Sequence, residues 1–224
     1  MRFLAFVPAR GGSKSIPNKN MHKISNKPLI QYTLETLIKT KLFYKIIVSS
    51  DSKKIISFCK KFSGIDCIIR PKNLARDNSP TEDALVHSLN ILKNENNIPD
   101  YICICEPTAP LRSYQSLIKL KKIIKKKNIN SLITVTELDH IPGVVKNNHY
   151  KYIIYDRRNR QKRKKFYIET GTFFLVNYNY FIRSKNIISK KPYAFFVKKT
   201  EAIDINNYED LKIAESIIKN KKNE

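Results

Sequence analysis

Short apolar runs alternate along this chain with longer stretches whose apolar residues recur at helical spacing. That alternation restricts the fold more than any other feature. The apolar runs lie at 2–8, 45–50, 66–70, 101–105, 131–136, 171–176 and 193–198, and the helical stretches at 28–39, 52–62, 80–93, 114–127, 178–184 and 207–220. Strands separated by amphipathic helices read as repeated βαβ units, hence an α/β, Rossmann-like, mostly parallel sheet flanked by helices. In the first helical stretch Leu29, Ile30, Tyr32, Thr33, Leu34, Leu37 and Ile38 make an apolar stripe at helical spacing. Ser79-Pro80-Thr81-Glu82 offers a cap, a proline at the first helical position and acidic charge in the first turn. Asn207 offers a cap for the last helix. Residues 138–168 break the rhythm, with short β-like pieces near 144–155 and 166–169 around the basic cluster 157–165. With 224 residues, the expectation is one domain over 1–224 carrying an inserted β arm over about 138–168.

In open α/β sheets, ligands bind beyond the carboxyl ends of the strands, so the segments that follow the apolar runs carry the chemistry. After the first run comes Val7-Pro8-Ala9-Arg10-Gly11-Gly12-Ser13-Lys14-Ser15-Ile16-Pro17-Asn18-Lys19-Asn20. Gly11 and Gly12 leave room for a ligand near the backbone and permit positive φ. Neighbouring N–H groups can form a concavity for anions, while Arg10, Lys14 and Lys19 bring charge. The segment lacks the spacing of an NTPase P-loop and that of a dinucleotide fold. A basic surface turn in a lysine-rich chain is the competing account.

Later runs are followed by equally pointed segments. Ser49-Ser50-Asp51 ends the second, where Asp51 reads as the cap of the next helix. Arg70-Pro71-Lys72-Asn73-Leu74-Ala75-Arg76-Asp77 ends the third and Glu106-Pro107-Thr108-Ala109-Pro110-Leu111-Arg112 the fourth. In the latter, Thr108 and Arg112 could tie down a proline-shaped turn. Ile203-Asp204-Ile205-Asn206 precedes the last helix.

Together these segments resemble the acylneuraminate cytidylyltransferase family, in the family's order over about residues 3–218. The first loop meets every fixed position of A-R-x-G-S-K-x-[IL]-x-x-K-N, through Ala9, Arg10, Gly12, Ser13, Lys14, Ile16, Lys19 and Asn20. Arg70 to Asp77 is similar to R-P-x-x-L-A-x-D, and Glu106 to Arg112 to Q-P-T-S-P-L-R. The resemblance implies transfer of a cytidylyl group from CTP to a nine-carbon 2-keto sugar acid. It further implies that Arg10, Gly12, Ser13, Lys14, Lys19 and Asn20 hold the nucleotide and that Arg70 reads cytosine. A guanidinium suits that task, because its donors match a pyrimidine's acceptors. Thr81 matches a nucleotide-contacting serine, with helix capping an equal alternative. Arg10, Lys19 and Asp204 are the implied catalytic residues. Asp204 and Asn206 are the implied Mg²⁺ ligands, although Asn206 stands where the family has a second aspartate. Glu106, Arg160, Gln161 and Thr170 fall on the implied sugar side. There Glu106 replaces glutamine, Thr170 replaces asparagine and Ile168 replaces an arginine found in some members. The family's R-Q pair, matched by Arg160-Gln161, implies that the arm reaches a partner's site in a homodimer. A solvated charged loop is the other reading of that pair. Kdo-type cytidylyl transfer, a non-catalytic nucleotide binder and a nucleic-acid-binding protein are the alternatives.

Composition bears mainly on what the chain is not. The 43 Lys+Arg against 19 Asp+Glu give +24, spread over helix faces such as Lys119–Lys127, so solvated faces explain it better than a nucleic-acid partner. No apolar run approaches the roughly 20 residues needed to span a bilayer, and Met1–Val7 is too short for a signal core. The expectation is a cytoplasmic protein without membrane partners. The four cysteines make no C-x-x-C motif and read as buried free thiols, Cys103 and Cys105 pointing to one face of a strand. No Ser-His-Asp or Cys-His set appears.

Overall fold

The computed structural model describes residues 1–92 and 98–220. Lys93, the last residue of one expected helix, and the 221–224 tail lie outside that set. The core is a seven-stranded sheet in the order β11-β7-β10-β6-β1-β4-β5. Its strands are β1 (Phe3–Pro8), β4 (Phe43–Ser50), β5 (Ile65–Ile69), β6 (Tyr101–Ile104), β7 (Ser131–Leu138), β10 (Phe166–Asn177) and β11 (Tyr193–Phe196). The helices are α1 (Leu29–Thr40), α2 (Lys53–Cys59), α3 (Thr81–Leu92), α4 (Tyr114–Lys126), α5 (Tyr178–Ser184) and α6 (Tyr208–Asn220). Pairing is parallel throughout except at β10, which runs antiparallel to both β6 and β7.

β1 shows why these runs are apolar at every position. Phe3, Ala5 and Val7 face one side of the sheet, against Ile30, Leu34 and Leu37 of α1, Ile55 of α2 and Leu117 of α4. Leu4 and Phe6 face the other, against Ala84, Leu85 and Leu89 of α3 and Phe181 of α5. A strand covered on both faces has no side for polar residues. A third cluster packs Ile16 of the basic loop against Ile205 and against Leu211, Ala214 and Ile218 of α6. This burial of Ile16 brings the basic loop and the 203–206 segment together.

Several expectations need correction. The pieces assigned to 166–169 and 171–176 are one strand, β10. Its pairing with β7 shifts register between Thr170 and Phe174, so the break is a bulge and not an end. The arm itself is a hairpin of β8 (Gly143–Lys146) and β9 (His149–Tyr152). A further hairpin, β2 (Lys23–Ile24) with β3 (Lys27–Pro28), turns through Ser25 and Asn26, both at positive φ. Ser52, not Asp51, caps α2, its hydroxyl accepting from the Ile55 N–H. α3 starts at Thr81, one residue past Pro80, and the Ser79 hydroxyl donates to the Asn73 carbonyl. Asn207 caps α6 as expected, accepting from the Glu209 and Asp210 N–H groups. All four cysteines are free, and the sulfurs of Cys103 and Cys105 lie 3.6 Å apart on one strand face. No helix among the described residues is long and apolar enough to cross a membrane.

Candidate active site

The chain runs from β1 outward to β4 and β5, then returns to the other side of β1 as β6. Loops leaving β1 and β6 therefore diverge, and the crevice between them is where an open α/β sheet binds ligands. A cleft of about 290 Å³ occupies that place. Its walls hold Arg10, Gly12, Ser13, Lys19 and Asn20 from the first loop, Arg70 and Arg76 from the segment after β5, and Thr81 at the start of α3. Glu106 and Thr108 from the turn after β6 complete it.

The first loop is set by short-range bonds. The Gly11 N–H donates to Asp51 Oδ1 at 2.8 Å, which is the role Asp51 plays in place of capping. A Cβ on Gly11 would come within 2.8 Å of the Ser52 Cβ, so this glycine is required by packing. Gly12 faces open space. Neither glycine uses positive φ; the left-handed residue in the loop is Asn18, at 52°. The Asn20 amide closes the loop by donating to the Arg10 carbonyl at 2.8 Å, and Lys19 Nζ donates to the Ile205 carbonyl at 3.0 Å. Burial lowers the pKa of the Lys19 ammonium, and the charge of Asp204 opposes that shift.

Arg70 is a buried guanidinium, only 6% exposed, and not a surface ion-pair partner. Its Nε donates to the Ser49 hydroxyl at 3.2 Å and its Nη2 to the Ser49 carbonyl at 2.7 Å. Burial lowers its pKa, with Asp51 opposing. Both bonds hold one edge of the guanidinium in a fixed direction, and Nη1 makes no hydrogen bond among the described residues.

Arg10 and Lys14 converge on a residue that sequence reasoning did not single out. Asp77 accepts from Arg10 Nη1 at 2.5 Å and pairs with Lys14 Nζ at 2.9 Å. These two bonds hold its carboxyl below the usual range. Arg76 and Ser79 line the cleft beside it. The signal for all three was their position, in or just after the R-P-x-x-L-A-x-D segment.

On the β6 side, Arg112 ties the turn down. It is buried and donates to the Thr172 carbonyl, to the Thr33 hydroxyl at 3.1 Å and to the Glu106 carbonyl at 2.8 Å. The Thr108 hydroxyl is buried with no hydrogen-bond partner among the described residues, while the Thr108 carbonyl accepts from the Ile205 N–H at 2.8 Å. That bond fastens the turn to the segment carrying Asp204. Asp204 Oδ1 is also buried without a partner among the described residues, and its Oδ2 accepts from the Asn206 amide nitrogen at 3.1 Å. Burial first, and Asp204 second, push the Glu106 carboxyl up.

Of the residues expected on the sugar side, Glu106 lines the cleft. The Thr170 hydroxyl lies in a buried chain, 2.8 Å from that of Thr134 and 3.0 Å from that of Thr172. Gln161 is exposed on the arm, and the side chain of Arg160 is outside the described set. The basic cluster around them is partly neutralised. Arg158 pairs with Asp156 at 2.8 Å and Lys165 with Glu137 at 3.1 Å.

Residues 4–217 match the family model described as Cytidylyltransferase. The chain belongs to the cytidylyltransferase family. It is 28% identical over 225 residues to the pseudaminic acid cytidylyltransferase of Campylobacter jejuni strain 81-176, covering 98% of this chain and 97% of that one. It is 25% identical over 223 residues to the N-acylneuraminate cytidylyltransferase of Escherichia coli O18:K1:H7, covering 96% of this chain and 52% of the relative. Among solved structures, a CMP:2-keto-3-deoxy-manno-octonic acid synthetase complexed with CTP superposes with a TM-score of 0.76. The two chains are covered over 99% and 100% at 15% identity, which establishes a shared fold.

Proposed function

We propose that this cytidylyltransferase joins CTP to a nine-carbon 2-keto sugar acid, releasing pyrophosphate and a CMP-sugar acid. The observation that carries the reading is that the buried, Ser49-held Arg70 and the Arg10–Asn20 loop line one cleft. In this reading a base reader and a phosphate cradle share that cleft. Relatives named for pseudaminic and N-acylneuraminic acid support the second substrate.

In this reading Arg10, Lys14 and Lys19 hold the triphosphate, with Gly12 and Ser13 supplying backbone N–H groups and Asn20 bracing the loop. Arg70 reads the cytosine and Thr81 contributes a hydroxyl. The sugar's anomeric hydroxyl attacks the α-phosphorus in line, the bond to the pyrophosphate oxygen breaks, and the hydroxyl proton leaves through Asp204 or a water on it. Catalysis is then positioning and charge neutralisation. The buried, unpartnered Oδ1 of Asp204 fits a hard cation that prefers oxygen ligands. Mg²⁺ held by Asp204 with Asn206 would neutralise the phosphates and the departing pyrophosphate.

The arm supports a homodimer: Val144, Val145, Tyr150, Ile153 and Tyr155 are all exposed on or beside its hairpin. Free thiols accord with a reducing, cytoplasmic setting. Purified protein with CTP and Mg²⁺, offered a panel of eight- and nine-carbon sugar acids, releases pyrophosphate with a nine-carbon member. Silence across the panel, with Arg10→Ala binding CTP as tightly as the unaltered chain, overturns the proposal.

A further inference from the structure

Two departures from the family pattern, a carboxylate gained at Glu106 and one lost at Asn206, lie on two segments joined by the Ile205 N–H bond to the Thr108 carbonyl. Asn206 does not replace the missing charge, and its amide nitrogen is spent on Asp204 Oδ2. Asp204 Oδ1 is left buried with no partner among the described residues. On the other segment, the side-chain carboxylate of Glu106 makes no hydrogen bond or ion pair among the described residues, although Arg112 and Lys19 are both nearby. Arg112 directs its Nη2 to the backbone carbonyl of Glu106, and its other donors go to Thr172 and Thr33. Lys19 directs its ammonium to the Ile205 carbonyl.

Both carboxylates belong to segments that are fastened together. The Ile205 N–H donates to the Thr108 carbonyl, joining the residue after Asp204 to the turn that begins at Glu106. Lys19 lies within electrostatic reach of both acids. The nearby Thr108 hydroxyl, also buried and unpartnered, adds a further oxygen in the same wall. Among the described residues neither Lys19 nor Arg112 forms an ion pair with either carboxylate, and a divalent cation would neutralise both.

We infer that Glu106 is the second carboxylate ligand of the catalytic divalent cation, taking with Asp204 the charge that Asn206 lacks. The inference rests on the cytidylyltransferase reading above and changes one role in it. Glu106 moves from the sugar acid to the cation, and Asn206 becomes a positioning residue that orients Asp204. A hard cation takes carboxylate oxygens readily, and its affinity tracks the number of charged ligands.

The test is Mn²⁺ binding to the full-length protein with a non-hydrolysable CTP analogue, read by the electron paramagnetic resonance of free Mn²⁺. Metal-free binding of the analogue is measured in parallel. Glu106→Gln should weaken Mn²⁺ at least about tenfold, the low end of what losing even an outer-shell partner costs a metal site. Metal-free analogue binding should not weaken. Adding Asn206→Asp to Glu106→Gln should restore Mn²⁺ affinity, a rescue that a folding defect or a sugar contact cannot produce. Unchanged Mn²⁺ affinity in Glu106→Gln, or no rescue in the double variant, overturns the inference. Failure of the wider reading looks different, because the unaltered protein would then bind no analogue.

Discussion

Arg112 should be worth more to stability than any other charged residue in this fold. Its guanidinium reaches three elements at once: the Thr172 carbonyl in β10, the Thr33 hydroxyl in α1 and the Glu106 carbonyl after β6. Arg112→Leu keeps apolar bulk and removes every donor. Each buried acceptor left without a partner costs about 1–3 kcal/mol. The three are not equal. The Glu106 carbonyl keeps a long bond from the Ala109 N–H at 3.4 Å, and the Thr33 hydroxyl can rotate, so the Thr172 carbonyl bears the full loss. The expected sum is about 4 kcal/mol, against a typical total stability of about 5–15 kcal/mol. At roughly 2–4 °C per kcal/mol for a chain of this size, the melting temperature should fall by about 8–16 °C. Arg112→Lys keeps the charge but reaches one acceptor, and should lose about half as much. Urea unfolding followed by circular dichroism, with calorimetry for the melting temperature, gives both numbers. A stability for Arg112→Leu within about 1 kcal/mol of the unaltered protein would refute the reasoning. It would mean that the cost of burying the guanidinium cancels its bonds.

Three other outcomes follow from the cleft and the core. Gly11→Ala should lose about 1–3 kcal/mol by overpacking against Ser52, whereas Gly12→Ala should melt normally and weaken CTP binding, measured by calorimetry of both. Asp77→Asn should tighten CTP binding by freeing Arg10 and Lys14, and weaker binding in isothermal titration would contradict that exchange. Burial pushes the Cys59 thiol up to about 12 and raises that of Cys67, while Cys103 and Cys105 are fully buried. A disulfide-exchange reagent at pH 8 should therefore find almost no fast thiol in the folded protein and all four in denaturant.

The sheet and its helices were legible because their periods are long and their strands are apolar on both faces. The β2–β3 hairpin was not, since strands of two residues carry no periodicity; its only signal is the Ser25-Asn26 turn. β10 looked like two pieces because Thr170-Gly171 reads as a break, while the bulge that joins them depends on the partner strand β7. The cationic wall was legible from the residues that follow β1 and β5. What the residues there are bonded to was not. Asp51 holds Gly11, forty positions away, and Thr170 belongs to a hydroxyl chain set by β7. Such pairings are made by tertiary packing and leave no local trace.

Four of the cations in and beside the cleft fall into two groups by what holds them. Arg70 and Lys19 bond to Ser49 and to the Ile205 carbonyl, neutral acceptors that a ligand need not displace. They are therefore aimed before anything binds, and their ordering entropy is spent in folding. Arg10 and Lys14 bond instead to the carboxylate of Asp77, on an exposed loop. A polyanion must take that carboxylate's place, exchanging one anion for another at nearly constant local charge. Specificity and charge attraction are thus divided between the two groups. In the proposed reading, buried Arg70 and half-buried Lys19 would select what enters, and the exchangeable pair would grip only a ligand anionic enough to outcompete Asp77. A neutral nucleoside would satisfy Arg70 yet leave the Asp77 clamp closed.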